Sequence, residues 1–159
     1  MCIRDSTYFA SLDAKSNLQD KVVINPFHLA IPVNDLKSAA DFYENVLECK
    51  RGRESNSWID FNLFGHQLVC HLVERSSELN ANQVDGDEIP IPHFGVVLSL
   101  DQFERLTKKL INSKQAFIHE PRTRFAGQPG EQRTMFLKDP CGNAIEFKAF
   151  KDLDSLFES

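Results

Sequence analysis

The chain has 159 residues, of which 42% are hydrophobic and 26% charged, with seven glycines and seven prolines. This composition is typical of one globular domain with an apolar core and excludes a chain that is disordered throughout. The formal net charge is −5, and acidic and basic residues are interspersed, so the sequence offers no basic stripe for nucleic acid.

No apolar stretch approaches the roughly 20 residues that cross a bilayer, and the N-terminus has no basic segment followed by an apolar one. We therefore expect a cytoplasmic protein without membrane contact. The four cysteines show no C-x-x-C pairing, which favours reduced thiols over a disulfide framework. Residues 1–21 have no sustained hydrophobic period and are interpreted as an appendage of doubtful order, ahead of a single domain over residues 22–159.

The first half of the domain predicts a β-α-β-β-β module over residues 22–75. Residues 27–33 form an apolar strand that carries His28 near its start. Asn34 or Asp35 is a suitable cap for the next segment, which has the three- and four-residue apolar spacing of an amphipathic helix. Residues 49–55 are predicted to form a short strand or a turn, and strands are predicted at residues 57–63 and 67–73.

The same order of elements returns after a polar segment. Residues 76–91 are interpreted as a flexible linker, and residues 92–151 as the second module. Its strand at residues 93–98 precedes a helix for which Asp101 and Glu104 suggest a capping box. Strands are predicted at 116–119, 134–137 and 144–150, with an exposed loop at 121–133 and a turn at 139–143.

Two such modules side by side predict an α+β fold, in which a curved eight-stranded sheet surrounds a central cavity and the helices lie outside. In each module the first strand and the last strand each carry one side chain that can bind a metal, among apolar residues. These side chains are His28 and His71 in the first module, and His93 and Glu146 in the second. The pattern predicts a single metal site in the cavity.

At these residues the chain resembles the vicinal oxygen chelate superfamily, which includes glyoxalase I, extradiol dioxygenases, and fosfomycin- and bleomycin-resistance proteins. The resemblance covers residues 26–151. It is carried by residues 27–36 (FHLAIPVNDL), residues 41–47 (DFYENVL), His93, and residues 139–146 (DPCGNAIE). Residues 58–61, 64–69 and 130–132 look closest to the branch described as predicted extradiol-dioxygenase relatives.

The resemblance implies that His28, His93 and Glu146 are metal ligands, and that His71 stands where glyoxalase-type members place a fourth ligand. It also implies a small-molecule substrate and a homodimer. Two imidazoles and one carboxylate independently suit a divalent first-row metal, as in non-haem Fe(II) oxygenases. Read singly, each histidine is better explained as a core or surface residue, and Glu146 as the outward residue of an alternating strand.

The first functional hypothesis is an Fe(II) dioxygenase of the extradiol type that acts on a small aromatic or enediol substrate, with His71 as an acid–base residue. The second is a glyoxalase-like isomerase or lyase that uses Mn, Ni, Co or Zn, with His71 as fourth ligand. The third is a metal-free binding or resistance protein. Histidines 66 and 119 are interpreted as surface residues, and Arg122, Arg124 and Arg133 as residues of a solvated loop that alternatively binds a substrate carboxylate.

Overall fold

The protein is described here from a computed structural model, which covers residues 24–74, 80–84 and 86–157. The predicted appendage at residues 1–21 and residues 76–79 and 85 of the predicted linker lie outside this part of the chain. Within the described part, no helix is long and apolar enough to span a membrane.

The first module follows the predicted order of elements. It consists of β1 (His28–Val33), α1 (Leu36–Asp41) with a π-helical turn (Phe42–Val46), β2 (Lys50–Glu54), β3 (Trp58–Leu63) and β4 (His66–Leu72). Asp35 begins the helix, because its side chain accepts hydrogen bonds from the backbone N–H groups of residues 37 and 38. The strands pair in the order β1-β4-β3-β2, and β1 is parallel to β4.

The hairpin that follows replaces the predicted flexible linker. It consists of β5 (Asn80–Val84) and β6 (Asp87–Ile91). The polar sequence suggested a linker, but Ile89 is buried, and Glu88 accepts a hydrogen bond through its carbonyl from His119 Nε2 at 3.0 Å. Asp87 forms an ion pair with Arg122. Contacts to a later strand, which local sequence patterns do not reveal, hold this segment in place.

The second module repeats the architecture of the first. It consists of β7 (His93–Leu98), α2 (Leu100–Asn112), β8 (Phe117–Arg124), β9 (Gln132–Lys138) and β10 (Ala144–Phe150), and ends in a 3-10 turn (Leu153–Phe157). The strands pair in the order β7-β10-β9-β8, and β7 is parallel to β10. The predicted α+β fold of paired β-α-β-β-β modules is confirmed, and its eight strands are hydrogen-bonded as two four-stranded sheets.

Two boundaries in the second module differ from the prediction. The α2 capping box is formed by Ser99 and Gln102, two residues before Asp101 and Glu104. Strand β8 continues to Arg124, so it takes up the first four residues of the loop predicted at 121–133. A register shift between His119 and Arg122, the stretch that contains Pro121, lets this edge strand accommodate a residue that has no N–H to donate.

The buried carboxylate of Asp139 joins the two modules. Its oxygens accept hydrogen bonds from the backbone N–H groups of Cys141 and Asn143, from the Asn143 side chain, and from the Tyr43 hydroxyl at 3.0 Å. Burial and the Asp139 charge raise the pKa of Tyr43 well above its usual value, so this hydroxyl remains a donor. Asn143 Nδ2 also donates to the Pro32 carbonyl at 2.9 Å, which ties the turn before β10 to β1.

We therefore expect Asp139→Ala to lower the free energy of unfolding by roughly 3 kcal/mol, because it leaves several buried donors without their acceptor. Urea denaturation measures this change. Asp41→Ala is the matched control, since Asp41 only forms an exposed ion pair with Lys37, and it should cost less than about 0.5 kcal/mol. Equal effects of the two substitutions would contradict the role given to Asp139.

Candidate metal centre

Strand register gives the second sheet one polar face. In β10, Glu146 lies beside Gly95 of β7 and opposite Phe136 of β9, and paired residues face the same side. His93 precedes Gly95 by two residues and therefore shares this face. A Cβ atom at residue 95 would lie 1.6 Å from the Glu146 carbonyl oxygen, so glycine is required for the two strands to lie this close.

Glu146 is a buried carboxylate with three polar neighbours. It is 8% exposed; Oε1 accepts a hydrogen bond from Thr134 Oγ1 at 2.7 Å, and Oε2 lies 3.3 Å from His93 Nε2 and 3.4 Å from Lys148 Nζ. Burial acts to raise the pKa of Glu146, but the hydrogen bonds from His93 and Thr134 and the charge of Lys148 outweigh it. The pKa lies below its usual value, and the side chain is an anion.

The backbone fixes the orientation of the His93 ring. Its Nδ1 lies 2.8 Å from the carbonyl oxygen of Pro90, which can only accept, so Nδ1 carries a hydrogen and Nε2 faces Glu146. The hydrogen bond to Glu146 raises the pKa of His93 above its usual value, against the effect of partial burial. A nitrogen lone pair facing a carboxylate requires a positive charge between them, which is either a proton or a cation.

The separation of these two atoms suits a shared metal ion. Two ligand atoms each about 2.1 Å from one cation lie roughly 3.0–3.4 Å apart, for angles between 90° and the tetrahedral value. Nε2 of His93 and Oε2 of Glu146 are 3.3 Å apart. This pair of predicted ligands therefore fits a divalent cation without a change in backbone position.

His28 lies on the corresponding face of the first sheet. It is exposed at the start of β1, where it pairs with Gln67 of β4, and its Nδ1 lies 2.7 Å from Gln67 Oε1. Strand alternation places Asp60, Trp58 and His71 on the same face. The faces of the two sheets thus carry His28 and His93 in corresponding positions.

The structure brings together two of the three predicted ligands. Among the described residues, no group of three or more His, Cys, Asp or Glu side chains is close enough to hold a metal ion. A cavity of about 120 Å³ lies between the sheets, but it is lined largely by apolar residues such as Leu29, Leu68 and Phe94, and by none of the predicted ligands. The three-residue ligand set therefore stays a prediction.

The register also revises the position of His71. In the second module the residue paired with His93 is Ala144, and the predicted ligand Glu146 follows two residues later. In the first module the residue paired with His28 is Gln67, so the equivalent of Glu146 is Val69, and His71 corresponds to Lys148. The resemblance had implied a fourth-ligand position for His71. Sequence spacing alone does not determine strand register, so the sequence did not show this two-residue difference.

The remaining histidines have structural hydrogen bonds. His66 Nδ1 accepts the backbone N–H of Phe27 at 3.0 Å, and His119 Nε2 donates to the Glu88 carbonyl. Both rings are half-buried and therefore less exposed than predicted. In the neutral state both carry their hydrogen on Nε2, the opposite of His93.

The three predicted arginines also have neighbours in the structure. Arg122 forms an ion pair with Asp87, and Arg133 with Glu104 at 2.8 Å. The guanidinium of Arg124 lies 5.0 Å from the centre of the Phe125 ring. Arg122 and Arg124 belong to β8, and Arg133 to β9, so none of the three lies in a loop.

Sequence reasoning did not identify Thr134, Lys148, Asp60, Gln67 or Pro90 as parts of the site. Two-residue alternation from Glu146 would have indicated Lys148, and cross-strand pairing would have indicated Thr134 once the register was known. The Pro90 carbonyl gives no sequence signal, because any residue supplies a carbonyl.

Comparison with known proteins identifies the family. The model of the Glyoxalase/Bleomycin resistance protein/Dioxygenase superfamily matches residues 25–147. A crystal structure described as a glyoxalase/bleomycin resistance protein/dioxygenase from Alicyclobacillus acidocaldarius is 37% identical, with a TM-score of 0.70 over 84% of this chain and 96% of that one. No curated protein matches the sequence.

More distant structures share the architecture. Lactoylglutathione lyase from Agrobacterium tumefaciens is 16% identical, with a TM-score of 0.58 over 82% of this chain and 97% of that one. The fosfomycin resistance protein FosX from Listeria monocytogenes is 16% identical, with a TM-score of 0.62 over 85% and 99%. At these identities the likeness shows the fold alone. Because the family model covers most of the sequence and a solved structure is 37% identical over nearly its whole length, the chain belongs to the glyoxalase/bleomycin resistance protein/dioxygenase superfamily.

Proposed function

We propose that this protein is an Fe(II)-dependent dioxygenase of the extradiol type, with His28, His93 and Glu146 as ligands and a small aromatic or enediol substrate. The observation that carries the proposal is Val69, which occupies the position equivalent to Glu146 in the first module. Valine has no ligand atom, so the ligand set ends at two histidines and one carboxylate, the combination typical of non-haem iron oxygenases.

Three protein ligands argue against the second hypothesis, the isomerase or lyase, because that hypothesis requires His71 as a fourth ligand. When bound, Fe(II) supplies open coordination positions for two adjacent substrate oxygens and for O2, together with the redox chemistry of ring cleavage. The protein's part is to hold the ligands, to bind the substrate and to transfer its protons.

The surroundings of Glu146 favour an anionic aromatic substrate. Lys148 and Arg122 lie on the same face of the second sheet, and both are cationic. The Phe136 ring makes edge contacts with the rings of His93 and His119, at centroid distances of 5.2 and 5.4 Å. Phe136 is buried behind these two rings, and the cations on this face suit a planar ring that carries ionised hydroxyl groups.

We further infer that His28 reaches the metal from a second copy of the chain. His28 is exposed, it lies on a different sheet from His93 and Glu146, and the cavity between the sheets contains none of the three. In a two-fold symmetric dimer the polar face of one copy's first sheet can lie over the polar face of the other's second sheet. Each dimer then has two equivalent sites.

Mixing variants tests this arrangement. His28→Ala and His93→Ala should each bind Mn²⁺ more than about 100-fold more weakly than the wild type, because each dimer loses a ligand from both sites. The two variants, refolded together in equal amounts, should recover about a quarter of the wild-type sites. Half of the dimers are then heterodimers, and each heterodimer has one intact site out of two. Loss of the free-ion EPR signal counts the bound Mn²⁺.

A mixture of His93→Ala with Glu146→Ala is the matched control and should recover no sites, because both residues belong to the same half of the site. Recovery in the control, or none in the first mixture, would contradict a site shared between two copies.

The proposed reaction is tested by oxygen uptake. Protein reconstituted anaerobically with Fe(II) should consume O2 on addition of at least one catechol from a varied panel, and a yellow ring-cleavage product should accumulate. Glu146→Ala should abolish both signals, whereas Glu131→Ala, which lies outside the site, should leave them unchanged. No O2 consumption with any catechol would contradict the proposed function.

His71 stays a prediction as the acid–base residue, and its replacement separates this role from that of a ligand. We expect His71→Ala to retain the wild-type iron content and to lower kcat for oxygen uptake by about 10²- to 10⁴-fold, since it removes only a proton-transfer group. Iron analysis and oxygen-electrode kinetics on the same samples measure both quantities. A parallel loss of iron would make His71 a ligand and favour the isomerase or lyase alternative.

A further inference from the structure

A chain of hydrogen bonds runs behind the His28 ring. His28 Nδ1 lies 2.7 Å from Gln67 Oε1, and Gln67 Nε2 donates to Asp60 Oδ2 at 3.1 Å. Asp60 is only 7% exposed, and its further contact is to the exposed Arg53 at 3.4 Å. The three residues of the chain lie on neighbouring strands, β1, β4 and β3, and share one sheet face.

The chemistry of these groups determines the direction of each hydrogen bond. An ionised carboxylate only accepts, so the NH2 group of Gln67 must face Asp60 and its carbonyl oxygen must face His28. An amide oxygen also only accepts, so His28 Nδ1 carries the hydrogen. In the neutral ring, Nε2 then holds the lone pair and is the nitrogen available to a cation.

In the second module, His93 also carries its hydrogen on Nδ1, but a different group accepts it. There the Pro90 carbonyl, and not a glutamine side chain, accepts the hydrogen of His93 Nδ1. Two histidines outside the predicted ligand set show the opposite state, because His66 Nδ1 accepts a hydrogen bond and His119 Nε2 donates one. Ring tautomer thus separates the two predicted ligands from these two structural histidines.

Unlike a carbonyl of the backbone, the Gln67 side chain can present either end to His28. If Asp60 could no longer hold the amide, its NH2 group could turn to His28 Nδ1, and the hydrogen of the ring would move to Nε2. That tautomer has no lone pair for a metal at Nε2. The direction of both hydrogen bonds, from Gln67 to Asp60 and from His28 to Gln67, therefore depends on Asp60.

We propose that Asp60 and Gln67 are positioning residues that hold His28 in the tautomer whose Nε2 binds the metal. The metal-binding consequence rests on the proposed function, whereas the tautomer itself is a property of the metal-free protein. A purely structural role for the two residues would change the stability of the first sheet and leave the ring tautomer unchanged.

The experiment uses chelator-treated, ¹⁵N-histidine-labelled protein at a pH where imidazoles are neutral. Long-range ¹H–¹⁵N spectra distinguish the two tautomers of each ring. In the wild type we expect the hydrogen on Nδ1 in His28 and His93, and on Nε2 in His66 and His119. In Asp60→Asn, and independently in Gln67→Met, we expect the His28 hydrogen to shift towards Nε2.

His93 is the control within each variant, because the Pro90 carbonyl is untouched and its signals should not move; an unchanged His93 also shows that the variant is folded. Asp41→Asn, at an exposed carboxylate, is the matched control for the charge change. A wild-type His28 with its hydrogen on Nε2, or no shift in folded Asp60→Asn and Gln67→Met, would overturn the proposal.

Calorimetric titration with Mn²⁺ then tests the consequence. Asp60→Asn should bind about 10- to 100-fold more weakly than the wild type. A tautomer shift with unchanged affinity would overturn the link to metal binding. Failure of the wild type to bind Mn²⁺ would overturn that link together with the proposed function, and the tautomer spectra would still decide whether Asp60 and Gln67 hold the ring.

Discussion

One buried carboxylate joins the two modules by hydrogen bonds. Asp139 binds the turn that precedes β10, and the Tyr43 hydroxyl from the first module donates to it. The same turn reaches the β1 backbone through Asn143 and the Pro32 carbonyl. Because Glu146 lies only three residues beyond Asn143, these contacts help to fix the face of the second sheet that carries Glu146 relative to the first sheet.

A second constraint is the close contact of β7 and β10. Gly95 lets the two strands lie so close that His93 Nε2 and Glu146 Oε2 are within the reach of one cation. Pro90, at the end of the β5–β6 hairpin, orients the His93 ring, and Asp87 and Glu88 hold that hairpin against β8. The hairpin therefore supports the His93 ring, although its sequence is polar.

The sequence predicted what depends on local patterns. Strand β10 and the order of elements follow from alternation and turn residues, and the contact between His93 and Glu146 follows from their places on the first and last strands of one module. The sequence did not reveal the register of β4, which places His71 two residues beyond Val69, the residue equivalent to Glu146. It also gave no sign of the hairpin, whose stability comes from contacts with β8 that are distant in sequence.

The difference between Val69 and Glu146 determines the charge of the proposed site as well as its ligand count. A divalent cation bound by two neutral imidazoles and one carboxylate keeps one net positive charge, whereas a second carboxylate at residue 69 would neutralise it. Lys148 adds a further positive charge 3.4 Å from Glu146. A site of this sign stabilises ionised hydroxyl groups on a substrate by direct Coulomb attraction, most strongly where water is excluded. In the proposed site, duplication of one module supplies the frame, and the difference between Val69 and Glu146 favours an anionic ligand.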